Sequence, residues 1–492
     1  MEQLAARRAH NPKVAGSSPA PATNAMLKKL SLALLGAFLF FNLAHAELPD
    51  GVAQALKKLK IPSDSVAILV QSMDSNAPPL FSHNADKAMN PASVMKLVTT
   101  YAAVKKLSPH FTWKTNFWVD AMPDEAGLVR GNLYIQGGGD PFLTHSILEN
   151  VFHHLARQGI FGILGDVVLD RSAFRLPPLN PNAFDGAGMR PYNTPPNALL
   201  LDFQTIVLEF SVVNGMLNVS PITPLRDLTL DFSKVKIIKG KCGNSWDNFL
   251  RFKTNGKTLT ITGKMPACEA EPLYIMPFDA TTHAQMLLPA VMDETGIQLS
   301  GTVREGKTPE NATLLWQHES EPLALALKSV NKFSNNVMAR HLFLSLSLNG
   351  APATLQNSRA VLENVLAENG LFFSELVVDN GAGLSRRARI SANHLNALLL
   401  AIWRDPMMPE MLSTLPIVGI DGTLKKRYKD LALTGRAHFK TGSLNEAKAL
   451  AGIIHGKNGQ RYTAIILINH AKAYTAQPAI DAFLEWLSNS GF

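Results

Sequence analysis

Residues 65–73 (SVAILVQSM) form a nearly unbroken apolar run, which predicts a buried strand. A polar connection over residues 84–90 leads into a helix that should begin near Ser93, with Asn90 suited to its cap and Pro91 to its first turn. Leu97, Val98, Tyr101 and Val104 give that helix a wide apolar face. From about residue 111 to 309 the period changes to short alternating runs (TNFWV, NLYIQG, DVVLD, TIVLEF, LTLDF, LTITG) separated by Gly, Pro and Asn clusters, a β-rich texture. Proline-dense segments at 176–196 and 219–224 read as connections between subdomains. Helical spacing returns at 321–348, 353–369 and 391–403. Two apolar runs then flank Asn458-Gly459, a hairpin signal, and an amphipathic helix spans 478–487.

This alternation predicts an α/β domain assembled from both ends of the chain and interrupted by a β-rich block. The expected division is a leader at 1–46, a catalytic domain from 47–111 with 313–492, an outer β-rich insertion from 112–202 with 273–312, and an inner insertion at 203–272. Within the leader, residues 26–46 (MLKKLSLALLGAFLFFNLAHA) have a two-lysine start, a short apolar centre and a small-x-small end at Ala44-His45-Ala46. That is a secretory signal with cleavage expected after Ala46, and residues 1–25 read as a start placed too early. A permanent span competes as a reading, but the apolar run is too short to cross comfortably. The formal charge of +8 falls to +4 once the five basic and one acidic side chains of residues 1–46 are set aside. With no basic run interleaved with aromatics, nucleic acid is not an expected partner.

Export leads to an oxidising compartment, so the two cysteines, Cys242 and Cys268, are expected to form one bridge, against the alternative of two buried thiols. There is no HExxH, and the histidine pair His153-His154 stands alone, so neither a metal nor a cofactor is expected. Ser-x-x-Lys occurs three times, at Ser93/Lys96, Ser233/Lys236 and Ser329/Lys332. The second lies in β-rich sequence, where residues three apart face opposite sides, and the third runs into a polar segment. Only the first joins a capped helix start to an apolar face. Ser-x-Asn recurs throughout the chain, but Lys-Thr-Gly occurs once, at Lys440-Thr441-Gly442, leading into the strand-hairpin-strand.

In that order, Ser93-x-x-Lys96, Ser334-Asn335-Asn336 and Lys440-Thr441-Gly442 resemble the active-site triple of penicillin-binding proteins and serine β-lactamases. GGGDP (137–141), DNGAGLSRRARIS (379–391), LPIVGIDGTLKKR (415–427) and KTGSLNEAKALAG (440–452) narrow the resemblance to three-domain D-alanyl-D-alanine carboxypeptidases/endopeptidases, the low-molecular-mass class C or type-4 penicillin-binding proteins. The resemblance implies an α/β (α+β) domain of the penicillin-binding and serine β-lactamase kind with a large β-rich two-part insertion. It implies Ser93 as nucleophile, Lys96 as its base, Ser334 as proton relay, Asn336 as holder of Lys96 and the substrate amide, and Lys440 as a neighbouring cation. Backbone N–H groups of Ser93 and Ser443 would form the oxyanion hole, and Thr441 with Lys440 would hold a terminal carboxylate. Gly442 would let the strand approach, while Arg386, Leu444, Asn445 and Asp185 would line a side-chain pocket. Asp421 and Lys425 read as structural loop residues. Implied partners are peptidoglycan stem peptides in the periplasm and β-lactams as covalent inhibitors. The competing functions are a β-lactamase, which the position of the insertion opposes, and a catalytically idle wall-binding scaffold, which the intact triple opposes.

Overall fold

The computed structural model describes residues 47–74, 77–243 and 246–490; the expected signal segment and early start lie outside these residues. Five antiparallel strands form one sheet in the spatial order Ala437–Ser443, Ala447–His455, Arg461–Asn469, Val66–Ser72 and Phe81–His83. The strand expected at 65–73 therefore pairs with the last strand of the chain, from Val66↔Ile468 to Ser72↔Tyr462. Gly459, at φ 81°, sits in the turn that joins the last two strands.

Successive side chains in a strand face opposite ways, and here both faces are covered. Ile68, Phe439, Leu450 and Ile466 pack against the helices Asp50–Leu59 and Gln477–Asn489. Ala67, Leu69, Ala451 and Leu467 pack against Lys96–Leu107, Leu323–Lys332, Asn336–Ser345 and Ala392–Arg404. Double coverage explains why these strands read as apolar runs instead of alternating. The α/β fold expected from the sequence is the one observed.

The inserted block differs from the expectation in two ways. Its outer part is mixed: a sheet containing Lys114–Val119, Leu133–Gly137 and Val167–Asp170 packs with two helices, His145–Arg157 and Ala280–Glu294, in one core. Its limits also move. Thr313–Glu319, expected to open the second catalytic segment, pairs with Lys114–Val119 as the edge of the outer sheet, so that sheet reaches residue 319 rather than 312. Leu273–Ile275 pairs with Ile206–Val213 and joins the inner core, which therefore extends past 272. Cross-strand pairing decides both boundaries, and turn residues alone do not report it. Cys242 and Cys268 are joined in the inner unit. Among the described residues no helix is long and apolar enough to cross a membrane.

Phe439 is fully buried on the strand that carries Lys440. Truncation to alanine should cost about 3–5 kcal/mol of unfolding free energy, read as a lower urea midpoint.

Candidate active site

The nucleophile candidate does not sit in the α-helix itself. Ala92–Met95 forms one tight 3-10 turn, and the α-helix begins at Lys96. Asn90 holds the turn, accepting from Ala92 N–H (2.9 Å) and donating to Ser385 O (2.7 Å), while Asn469 Oδ1 accepts from Asn90 N–H (2.6 Å). Ala92 has φ 47°, a left-handed conformation that costs a non-glycine residue about 1–3 kcal/mol and needs this scaffolding to persist. Gly383, itself at φ 73°, passes so close that a Cβ there would lie 1.9 Å from Ala92 O.

Lys96 is fully buried one turn on. Its Nζ lies 3.0 Å from Ser93 Oγ, 2.7 Å from Asn336 Oδ1 and 2.6 Å from Ala382 O. Burial, reinforced by the positive charges of Lys440 and Arg340, holds its pKa well below that of an ordinary lysine. A neutral amine has two N–H donors and one lone pair. In that form Asn336 Oδ1 and Ala382 O can take the two donors, which would leave the lone pair for the Ser93 hydroxyl. The loop that presents Ala382 O is fixed by Asn380, whose Oδ1 accepts from Ala382 N–H (3.0 Å), and by Thr99, which donates to Gly381 O (2.7 Å).

The helix expected across 321–348 is broken, and the break creates part of the site. Ser334 adopts φ 59° between Leu323–Lys332 and Asn336–Ser345, and Asn335 caps the second helix by accepting from Met338 N–H (3.0 Å). Asn336 can then face Lys96 from the first helical position. Lys440, fully buried, donates to Ser334 Oγ (2.9 Å) and Thr441 O (2.8 Å), and burial pulls its pKa down to about 7.

Lys440 belongs to the edge strand of the sheet. Leu444 N–H bonds to Ala447 O (2.8 Å), and hydrogen-bonded pairs alternate along an antiparallel ladder. Residues 440, 442 and 444 therefore bond inward to the neighbouring strand, whereas the N–H groups of Thr441 and Ser443 point outward. Phe439 follows the same parity, donating outward to Pro416 O (3.0 Å). Gly442 is the point of closest approach: a Cβ there would meet Pro91 O at 2.6 Å and Ala92 Cβ at 3.1 Å.

A cavity of about 330 Å³ extends from Ser93, Ser334, Asn336 and Ser443 past Leu444 and Asn445 to Asp185 and Arg386. Arg386 lies over the Phe184 ring (5.0 Å) and 3.6 Å from Glu446. Burial raises the Asp185 pKa, but bonds from Ala187 N–H (2.9 Å), Tyr192 Oη (2.7 Å) and Asn193 Nδ2 (2.9 Å) outweigh it and hold the carboxyl below its usual value. The other two Ser-x-x-Lys pairs are engaged elsewhere. Ser233 bonds to Asp231 on an exposed strand (2.7 Å), and Lys332 pairs with Asp421, whose Oδ1 also accepts from Ile417 N–H (2.8 Å).

Sequence reasoning did not pick out Arg340, Thr423, Phe184, Tyr192 or Glu446. Arg340 carried a usable signal, being four residues beyond Asn336 and so on the same helix face. Burial lowers its pKa to about 10. Thr423, whose Oγ1 lies 2.9 Å from Thr441 Oγ1, was within reach in the GIDGTLKKR motif. Among the described residues no group of three or more His, Cys, Asp and Glu side chains could hold a metal ion.

Residues 48–490 match the family model described as D-Ala-D-Ala carboxypeptidase 3 (S13). A D-alanyl-D-alanine carboxypeptidase from Actinomadura sp. (strain R39) is 26% identical over 414 residues, covering 80% of this chain and 76% of that protein. The D-alanyl-D-alanine carboxypeptidase DacB of Haemophilus influenzae is 25% identical over 418 residues, covering 83% and 86%. In structure, the chain is similar to penicillin binding protein 4 from Haemophilus influenzae, with TM-score 0.73 and 22% identity over 89% of this chain and 99% of that one. It is also similar, at TM-score 0.52 and 16% identity over 87% and 93%, to a penicillin G-acylated predatory endopeptidase from Bdellovibrio bacteriovorus.

A methyl group at residue 442 has to push the edge strand off the turn that carries Ser93. With Ser93 as the nucleophile, as the sequence leads one to expect, Gly442→Ala should slow its acylation by a β-lactam roughly 100-fold, the scale of an ångström-sized misplacement. Unchanged acylation kinetics, followed by intact mass, would show that the close approach is dispensable.

Proposed function

This chain belongs to the D-Ala-D-Ala carboxypeptidase 3 (S13) family and is a serine-type peptidase, and on that premise we propose that it hydrolyses peptidoglycan stem peptides in the periplasm through an acyl-enzyme on Ser93. The observation that carries this reading is the buried Lys96 amine, its pKa held well below that of an ordinary lysine, lying 3.0 Å from the Ser93 hydroxyl and held there by Asn336 Oδ1 and Ala382 O. A serine hydroxyl is a poor nucleophile until such a base takes its proton.

In this reading Lys96 accepts the Ser93 proton as Oγ attacks the carbonyl carbon of the penultimate D-alanine. The oxyanion that forms faces the N–H groups of Ser93 and Ser443, donors that need no reorientation during the reaction. The C–N bond then breaks. Its nitrogen takes a proton through the Ser334 hydroxyl, which Lys440 orients, and D-alanine departs with its carboxylate released from Thr441 and Lys440. Asn336 holds both Lys96 and the substrate amide. Water, giving its proton to the same base, cleaves the ester and frees Ser93. The cavity beyond Leu444 and Asn445 would take the side chain of the third stem residue, its carboxylate at Arg386 and its amine at Asp185. A β-lactam presents a similar amide, but its leaving nitrogen stays tethered, which makes it a covalent inhibitor. Export by the expected signal would bring the enzyme to its substrate, and the same chemistry would serve cross-link cleavage.

Two measurements test the proposal. Intact-mass analysis after penicillin treatment should show one adduct, mapped by peptide sequencing to Ser93, and Ser93→Ala should lose both the adduct and D-alanine release; an adduct at another residue overturns the assignment. The acylation rate should rise with pH through the lowered pKa of Lys96, well below the 10.5 of a free lysine. Lys96→Arg, whose guanidinium stays charged, should lose about 100- to 10,000-fold of that rate.

A further inference from the structure

Two cavities meet at Ser93. The one already described, of about 330 Å³, contains side chains of both signs: Arg386, Asp185 and Glu446. The other, of about 280 Å³, shares Ser93, Ser334 and Ser443 but opens over the outer face of the edge strand, beside Thr441, Arg427 and Lys448. If the proposed function holds, the acyl half of the substrate lies in the first cavity and the departing half passes Thr441 into the second.

We infer that Arg427 and Lys448 bind carboxylates of a leaving group larger than alanine, the second stem peptide of a cross-link, and so bias the enzyme toward cross-linked substrate. Register places Lys448 directly opposite Ser443, and Leu450 opposite Thr441. Paired residues project from the same face of a sheet, so Lys448 stands beside the residue whose N–H faces the cleft. Among the described residues neither Arg427 nor Lys448 makes an ion pair within 4.0 Å. The acid nearest in effect, Asp481, is committed to Tyr428 Oη (2.5 Å) and Gln477 Nε2 (2.8 Å). Burial, then the charge of Arg427, lowers the pKa of Lys448, and Asp481 offsets this only in part, so two cations that lack an ion pair share one space. One alanine brings one carboxylate, and Thr441 with Lys440 already meets it. Two further cations match a peptide that carries further carboxylates.

The test compares kcat/KM of the full chain on a purified cross-linked muropeptide dimer and on the uncross-linked pentapeptide. Arg427→Gln and Lys448→Gln should each lower the dimer-to-pentapeptide ratio about fivefold, the upper size of a partly exposed ion pair, mainly through KM. Arg427→Lys should restore most of it, and added salt should lower the same ratio in the unsubstituted enzyme. A ratio that stays constant, or equal losses on both substrates, overturns the inference. Failure of the underlying function looks different: the unsubstituted protein would neither release D-alanine nor take up penicillin on Ser93, and the inference would fall with it.

Discussion

Holding one lysine amine away from water sets the terms for the surrounding structure. The Lys96 nitrogen needs hydrogen-bond partners, and these come from three separated parts of the chain: the Ser93 turn, the start of the Asn336 helix 240 residues later, and the Ala382 carbonyl at 286 residues. Each part uses backbone that is costly in isolation. Ala92 and Ser334 both have positive φ, and Gly383 fits only because it lacks a side chain. The amine also weighs on stability. An unfolded chain binds its proton near pH 10.5 and the folded one only at lower pH, so this group contributes stability that grows as pH rises between the two values.

The insertion participates in this centre through one polar loop. Asp185 and Tyr192 reach the cavity at Ser93, while the sheets behind them form cores of their own. The insertion is rooted by adjacent antiparallel strands, Lys114–Val119 on entry and Thr313–Glu319 on exit, so the loop is carried on a sheet that is pinned at both crossings. The same loop also reaches back to the lysine's surroundings, since Thr194 O accepts from Arg340, whose charge acts on Lys96.

Much of this was legible in the sequence where periodicity and chemistry coincided. The strands at 65–73 and on either side of Asn458-Gly459, and the helices near 353–369, 391–403 and 478–487, all emerge close to their expected limits. The break at Ser334 did not. The apolar periodicity continues on both sides of Phe333-Ser334-Asn335-Asn336 and masked the break, although Ser and Asn favour a cap over a helix interior. The Asn335 cap and the contact of Asn336 with Lys96 fix the kink. In the inserted block, Leu148, Val151, Phe152 and Leu155 have helical spacing, but they sit among alternating runs that dominated the reading. Pro289 inside Ala280–Glu294 hid the second helix. Arg340 and Thr423 did have local signals, the i, i+4 spacing from Asn336 and the GIDGTLKKR motif, but only the fold brings them to Lys96 and Thr441.

The central sheet places the chain's first strand between Phe81–His83 and Arg461–Asn469, and the turn before Ser93 is tied by Asn90 to Asn469, 379 residues away. Long-range pairing of this kind forms late and slowly. A ribosome that has released only the first four hundred residues therefore holds a chain with Ser93 and Lys96 present but no edge strand to close on them. The serine-type peptidase thus has the assembly of this cleft deferred to the last stretch of its synthesis, by topology alone.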